Sequence, residues 1–191
     1  SKAKIPLSEL KQDETKIFLN LEKNLNKLVI GQQHAVKKIA ASILRSKSGV
    51  RDRSKPIANF LLLGTTGVGK TFTAKALADL VFGGQSNVIR IDMTEFTEKA
   101  SISRLIGASP GYVGFEDGGF LTESIRKNPH SVVLFDEVEK AHPDVCQILL
   151  QIMEEGELKD SNGKIANFKN SIILLTGNFG HNSFSTQKSM G

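Results

Sequence analysis

The stretch Phe60-Leu61-Leu62-Leu63-Gly64-Thr65-Thr66-Gly67-Val68-Gly69-Lys70-Thr71 decides how the chain reads. An apolar run stops at one glycine, and two more follow before Lys70-Thr71. The spacing is G-x-x-x-x-G-K-[ST], the loop that cradles phosphate in proteins binding nucleoside triphosphates. Glycine lets successive backbone N–H groups turn inward around phosphate oxygens with no Cβ in the way. In that pattern Lys70 reaches the β- and γ-phosphates, Thr71 ligates Mg²⁺, and the helix that follows aims its positive end at the anion.

Upstream, Ile17, Leu21, Leu25 and Leu28 recur at helical spacing after a candidate N-cap at Asp13. Val29-Ile30-Gly31-Gln32 breaks that helix, and Val36, Ile39, Ala40, Ile43 and Leu44 form one face of a second, ending near Gly49. Ile57–Leu63 is apolar enough to be read as a strand buried on both faces. Downstream, Phe72, Ala76, Leu77, Leu80 and Val81 mark an amphipathic helix stopped by Gly83-Gly84. Val88–Ile91 is a short strand ending at Asp92, and 101–106 and 119–127 are short helices around a glycine-rich loop. Ser131–Phe135 is a buried strand ending at Asp136-Glu137. Pro143 opens a helix through Glu155, Asn162-Gly163 joins two short polar strands as a hairpin, and Ser171–Leu175 is a last strand before Thr176-Gly177-Asn178. Strands alternating with helices predict an α/β fold with a mainly parallel sheet and right-handed crossovers. Ligands in such sheets bind at the carboxyl ends of strands, and three candidate groups lie at three such ends: the glycine loop, Asp136-Glu137 and Asn178.

The chemistry follows from position. Four apolar residues followed by Asp-Glu form a Walker-B segment, in which Asp136 holds Mg²⁺ with Thr71. Glu137, with no metal to neutralise it, is placed to orient a water and accept its proton during attack on the γ-phosphate. Asn178 is placed to hydrogen-bond that phosphate or that water, although Asn is also commonplace in turns. The chain's one tyrosine, Tyr112, lies between glycines in Ser109–Phe115, where packing in a turn and gripping a polymer are both open. The four histidines and Cys146 show no metal-ligand spacing, and Cys146 falls beside core positions of a helix.

Composition narrows the class. In 191 residues, 39% are hydrophobic and 24% charged, ordinary for a globular domain. No run approaches the ~20 apolar residues of a membrane span. A single cysteine precludes an internal disulfide framework and suits a reducing compartment. The net charge of +5 raises nucleic acid as a partner, but its densest part, Arg45, Lys47, Arg51, Arg53 and Lys55 opposed by Asp52, has few aromatics for base stacking and reads as a solvated linker.

Taken together, these stretches resemble the large subdomain of the second ATPase domain in Clp-type AAA+ unfoldases of the ClpB/ClpC group. Val-Ile-Gly-Gln (29–32), GTTGVGKT (64–71), Ile-Asp-Met-Thr-Glu-Phe (91–96), Arg-Leu-Ile-Gly (104–107), Gly-Tyr-Val-Gly (111–114), the segment 133–145 and Phe-Lys-Asn (168–170) carry the resemblance. It implies a three-layer α/β/α P-loop NTPase large subdomain over 25–180, with a lead-in and helix over 1–24 and a flexible tail over 181–191. It further implies ATP and Mg²⁺ as ligands. Val29 and Ile30 would contact adenine, and Gly64, Thr65, Thr66, Gly67, Val68, Gly69, Lys70 and Thr71 the phosphates. Asp136 and Thr71 would hold the metal, Lys70 and Glu137 would serve catalysis, and Asn178 would be the first sensor. Tyr112 and Val113 would form a pore loop gripping substrate polypeptide, with the Gly156–Lys164 hairpin as a second. The implied partners are unfolded or misfolded proteins, a homo-hexamer in the parent protein and a Clp-type peptidase, with neither membrane nor nucleic acid. The implied compartment is the cytoplasm or a plastid stroma.

Two departures stand out: Thr65 replaces the proline usual in this loop, and Gly177 replaces the usual serine before the sensor. The family's arginine finger, fifth strand and helical small subdomain have no match in these residues, so the chain alone is expected to bind ATP weakly and hydrolyse it poorly. The missing strand is expected to leave an exposed sheet edge. Two other classes compete: a helicase-like nucleic-acid ATPase and a nucleotide-binding fragment that does not hydrolyse.

Overall fold

A computed structural model describes residues 20–26, 33–47, 52–63, 69–109, 111–112 and 118–178. The expected positions Val29, Ile30, Gly64–Val68, Val113 and the tail from 181 lie outside these residues. Two helices lead the chain, α1 over 20–26 and α2 over Gln33–Lys47. Then follow β1 (Ala58–Leu63), α3 (Gly69–Phe82), β2 (Val88–Asp92), α4 (Ile102–Ile106), α5 (Phe120–Lys127), β3 (Val132–Asp136), α6 (Pro143–Glu155), β4 (Glu157–Lys159), β5 (Ile165–Asn167) and β6 (Ile172–Gly177).

β1, β6, β3 and β2 form a parallel sheet in that spatial order, while β4 and β5 pair antiparallel as a separate hairpin. The registers Leu63 opposite Gly177 and Asp92 opposite Asp136 bring the carboxyl ends of the strands into one row. The last residues of the strands therefore lie along one edge of the sheet, the end at which such sheets bind ligands.

Side chains alternate across the sheet, and the alternation sorts the core into two layers. Val132, Leu134, Ile172 and Leu174 face a helical layer containing Leu21 and Leu25 of α1, Val36, Ile39, Ala40 and Ile43 of α2, and Ala74, Leu77 and Ala78 of α3. Val133, Phe135, Ile173, Ile89 and Ile91 face the other layer, built from Leu105, Leu121, Ile125, Val145, Leu149 and Ile152, with Leu158, Ala166 and Phe168 of the hairpin region. This is the three-layer α/β/α arrangement expected from the sequence. The central strands β3 and β6 carry the most continuous burial, as their apolar runs require.

Two expectations are corrected. β1 is not buried on both faces: Ala58, Phe60 and Leu62 face the α1–α3 side, but Leu61 and Leu63 are 50% and 55% exposed. The reason is strand order. Among the described residues β1 lies at the sheet edge, where the second face meets α6 only near Asn59, whose Nδ2 donates to Met153 O at 3.3 Å. In α3 the buried face is Thr73, Ala74, Ala76, Leu77 and Ala78, and Phe72 is exposed instead of inward. Small residues let α3 approach the sheet closely, and a phenylalanine would not fit that contact.

The hairpin's inner row is also more apolar than its sequence suggested, because Leu158 and Ala166 pair across it and are buried. No helix among the described residues is long and apolar enough to cross a membrane.

Candidate active site

Gly69, Lys70 and Thr71 form the first turn of α3. The first turn of a helix carries backbone N–H groups without intrahelical partners and the positive end of the dipole, so it attracts anions. Lys70 adds a full charge. Its Nζ is shielded from solvent and has no hydrogen-bond partner among the described residues. A buried ammonium without an acceptor is costly, and the cost is removed when an anionic oxygen takes the place.

Across from α3, Asp136 ends β3 on the same sheet face as Leu134, the face α3 covers. Its Oδ1 accepts from Thr176 Oγ1 at 2.5 Å and its Oδ2 from Arg90 Nη2 at 2.8 Å. Arg90 reaches it diagonally across the β2–β3 pair, since Arg90 lies opposite Leu134. Partial burial pushes the Asp136 carboxyl up. The hydrogen bonds from Thr176 and Arg90, with the charges of Arg90 and Lys70, outweigh it and hold the group below the ordinary carboxylate range. Asp136 is thus an anion held in a fixed orientation, as a magnesium ligand must be.

Glu137 follows with φ 59° and ψ 51°, the one non-glycine residue in the left-handed region among the described residues. The Thr176 hydroxyl that donates to Asp136 also accepts from the Glu137 backbone N–H at 3.2 Å. One hydroxyl on β6 thereby fixes both acidic residues at the end of β3. Such strained positions persist where the surroundings over-determine them, and they concentrate at functional sites. Asn178, one residue past β6, is exposed at the same end of the sheet.

Tyr112 is elsewhere in the fold, in the loop between α4 and α5, and is 73% exposed. Its N–H donates to Ser109 O at 3.1 Å, a turn that presents the ring to solvent instead of packing it. The structure thus brings Lys70, Thr71, Asp136, Glu137 and Asn178 to one end of the sheet and leaves Tyr112 on a separate loop. Thr176 and Arg90 were not singled out by sequence. The available signal was a hydroxyl closing the otherwise apolar run Ile172–Leu175, and a lone arginine inside the strand Val88–Asp92.

Residues 55–190 match the family described as AAA domain (Cdc48 subfamily). The chain belongs to that family. The chain is 52% identical over 183 residues to a Chaperone protein ClpB from Bacteroides thetaiotaomicron, covering 96% of this chain and 21% of the relative. It is 49% identical over 187 residues to an ATP-dependent Clp protease ATP-binding subunit ClpC from Staphylococcus epidermidis, covering 98% and 23%. The same identity, length and coverage hold for a protein of Bacillus subtilis called Negative regulator of genetic competence ClpC/MecB. The chain spans about a fifth of the length of these relatives. Its sequence is that of a Clp-type AAA+ domain.

Proposed function

We propose that this AAA domain binds ATP with Mg²⁺ at the strand ends and supplies the hydrolytic step of a hexameric Clp-type protein unfoldase. The single observation that carries the reading is the Lys70 ammonium at the start of α3, shielded and without a hydrogen-bond partner among the described residues, near an Asp136 carboxylate held ionised by Thr176 and Arg90. A buried ammonium with no hydrogen-bond partner among the described residues, beside a carboxylate held in a fixed orientation at the carboxyl ends of parallel strands, suits a phosphate–magnesium site.

In this reading Gly64–Thr71 surround the phosphates with N–H donors, and Lys70 balances the charge of the β- and γ-oxygens. Val29 and Ile30 contact the adenine. Thr71 and Asp136 hold the metal, which when bound would neutralise charge building between the β- and γ-phosphates. Glu137 orients a water and takes its proton as the water oxygen attacks the γ-phosphorus and the bond to the β–γ bridging oxygen breaks, releasing ADP and phosphate, while Asn178 holds the γ-phosphate or that water in line. The 25–180 segment is then the nucleotide-binding unit. Tyr112 and Val113, with the Gly156–Lys164 hairpin, grip an extended polypeptide and draw it through a ring, for disaggregation or delivery to a peptidase. The exposure of Tyr112 supports that role.

The test belongs to the full-length protein carrying this domain. Unfolded polypeptide is expected to stimulate ATP hydrolysis and single-stranded DNA to leave it unchanged. Tyr112→Ala is expected to keep ATP hydrolysis and lose polypeptide threading, followed by unfolding of a fluorescent substrate. Stimulation by DNA alone, or threading unimpaired by Tyr112→Ala, overturns the reading.

A further inference from the structure

One guanidinium joins the hairpin to the helix that follows the Tyr112 loop. Arg126 lies in the last turn of α5. Its Nη1 donates to Glu123 Oε1 at 2.5 Å, one turn back on the same helix. Its Nη2 donates to Asp160 Oδ2 at 2.5 Å and to Lys164 O at 2.9 Å, and its Nε donates to Ile165 O at 3.3 Å.

Asp160 then holds a turn by hydrogen bonds, and Glu123 packs against the stem of a loop. The Asp160 side chain is 2% exposed, and its Oδ1 accepts the backbone N–H groups of Asn162 and Lys164 at 2.9 Å each. It therefore staples the turn between β4 and β5 from inside. Glu123 packs against Gly118, where a Cβ would meet Glu123 Cγ at 2.9 Å. Gly118 belongs to the carboxyl-side stem of the Tyr112 loop.

The two stems of that loop are pressed together. Gly119 lies so close to the Ile106 and Gly107 backbone that no side chain fits. Gly107 has φ +95°, and a Cβ there would meet Ser161 Oγ at 2.6 Å. The hairpin turn docks on the same spot, since the Ser161 N–H donates to Ile106 O at 3.1 Å. The hairpin turn therefore touches one stem through Ser161 and is linked to the other through Asp160, Arg126 and Glu123. A planar fork can serve two carboxylates and two carbonyls at once, which the point charge of a lysine cannot.

We propose that Arg126 is a positioning residue that ties the hairpin turn to the stem of the Tyr112 loop, so that a displacement of one is passed to the other. The proposal rests on the reading of these two loops as the polypeptide-gripping elements. Within that reading, a load on Tyr112 is shared with the hairpin through the packing of Glu123 on Gly118 and the Arg126 hydrogen bonds to Glu123 and Asp160.

Hydrogen–deuterium exchange of the 191-residue chain tests this without substrate or nucleotide. Its failure is therefore separate from a failure of the threading assay. The reporter amides on the loop side are Gly107 and Glu123, bonded to Ser103 O and Gly119 O at 2.8 and 2.9 Å. On the hairpin side they are Asp160 and Gly163, each bonded at 3.0 Å, to Lys164 O and Asp160 O. Asp160→Asn alters the hairpin alone, yet it is expected to speed exchange at Gly107 and Glu123 by about tenfold or more, the effect of losing one charge-assisted bond on a local opening. Arg126→Ala is expected to do the same on both sides, and Arg126→Lys to restore only a minor part. Amides of β3 report global stability and are expected to keep wild-type rates. Should they rise as well, Glu123→Gln provides the milder probe from the other end, with faster exchange expected at Asp160 and Gly163. Acceleration confined to the element carrying the substitution, in either direction, overturns the proposal.

Discussion

Glu137 pays a conformational penalty that most residues at a strand end avoid. The left-handed region costs a residue with a Cβ ~1–2 kcal/mol. Glycine would remove that cost and lose ~0.5–1 kcal/mol through its freer unfolded chain. Glu137→Gly is therefore expected to stabilise the domain by up to about 1 kcal/mol, a rise of ~2–4 °C in Tm, measured by calorimetry without nucleotide. A fall in Tm would show that the side chain itself stabilises the fold. Lys70, Thr71, Asp136 and Glu137 were legible in the sequence because their chemistry is tied to local spacing and to the end of an apolar strand. Thr176 and Arg90 were not, since their partner Asp136 lies 40 and 46 positions away. Only the strand order β6–β3–β2 brings them together, and no local pattern encodes that adjacency.

The hairpin behaves as an element anchored by a buried carboxylate, and its stability should depend on pH. Burial pushes the Asp160 carboxyl up, but the hydrogen bonds from Arg126 and from the Lys164 and Asn162 N–H groups outweigh it, holding the group below its ordinary 3.8. A carboxyl depressed in the folded state contributes stability above its unfolded value and loses it as pH falls through the folded value. The Tm advantage of wild type over Asp160→Asn is therefore expected to be full at pH 6–7 and to shrink steadily below about pH 4. An advantage independent of pH would contradict this. Asn162-Gly163 made the hairpin legible, and the 3.6-residue period made α2 and α6 legible. Asp160 looked like any polar loop residue, because its burial depends on the approach of α5 from another part of the chain. β1 was misread for a related reason: an apolar run says that a strand can be buried, while its place in the sheet decides how much of it is.

At the scale of the molecule, the edge of β1, unpaired among the described residues, and the exposed row Leu61 and Leu63 form an apolar strip beside Leu175, which lies opposite Leu61 on β6. Exposed strand edges of this kind template association. Leu61→Lys is expected to slow light-scattering growth of the concentrated chain severalfold while leaving nucleotide affinity unchanged, and equal scattering would show that the edge is harmless. The parallel α/β/α architecture was legible because strands, helices and glycine loop alternate in one consistent order. This order builds a nucleotide site around Lys70, whose buried ammonium has no hydrogen-bond partner among the described residues. Isothermal titration of the chain with ATP and Mg²⁺ tests it most directly. Saturable one-to-one binding is expected, weakening by about a hundredfold or more in Lys70→Ala, the effect of losing ~3 kcal/mol of charge-assisted contact. Wild-type affinity in Lys70→Ala would contradict it.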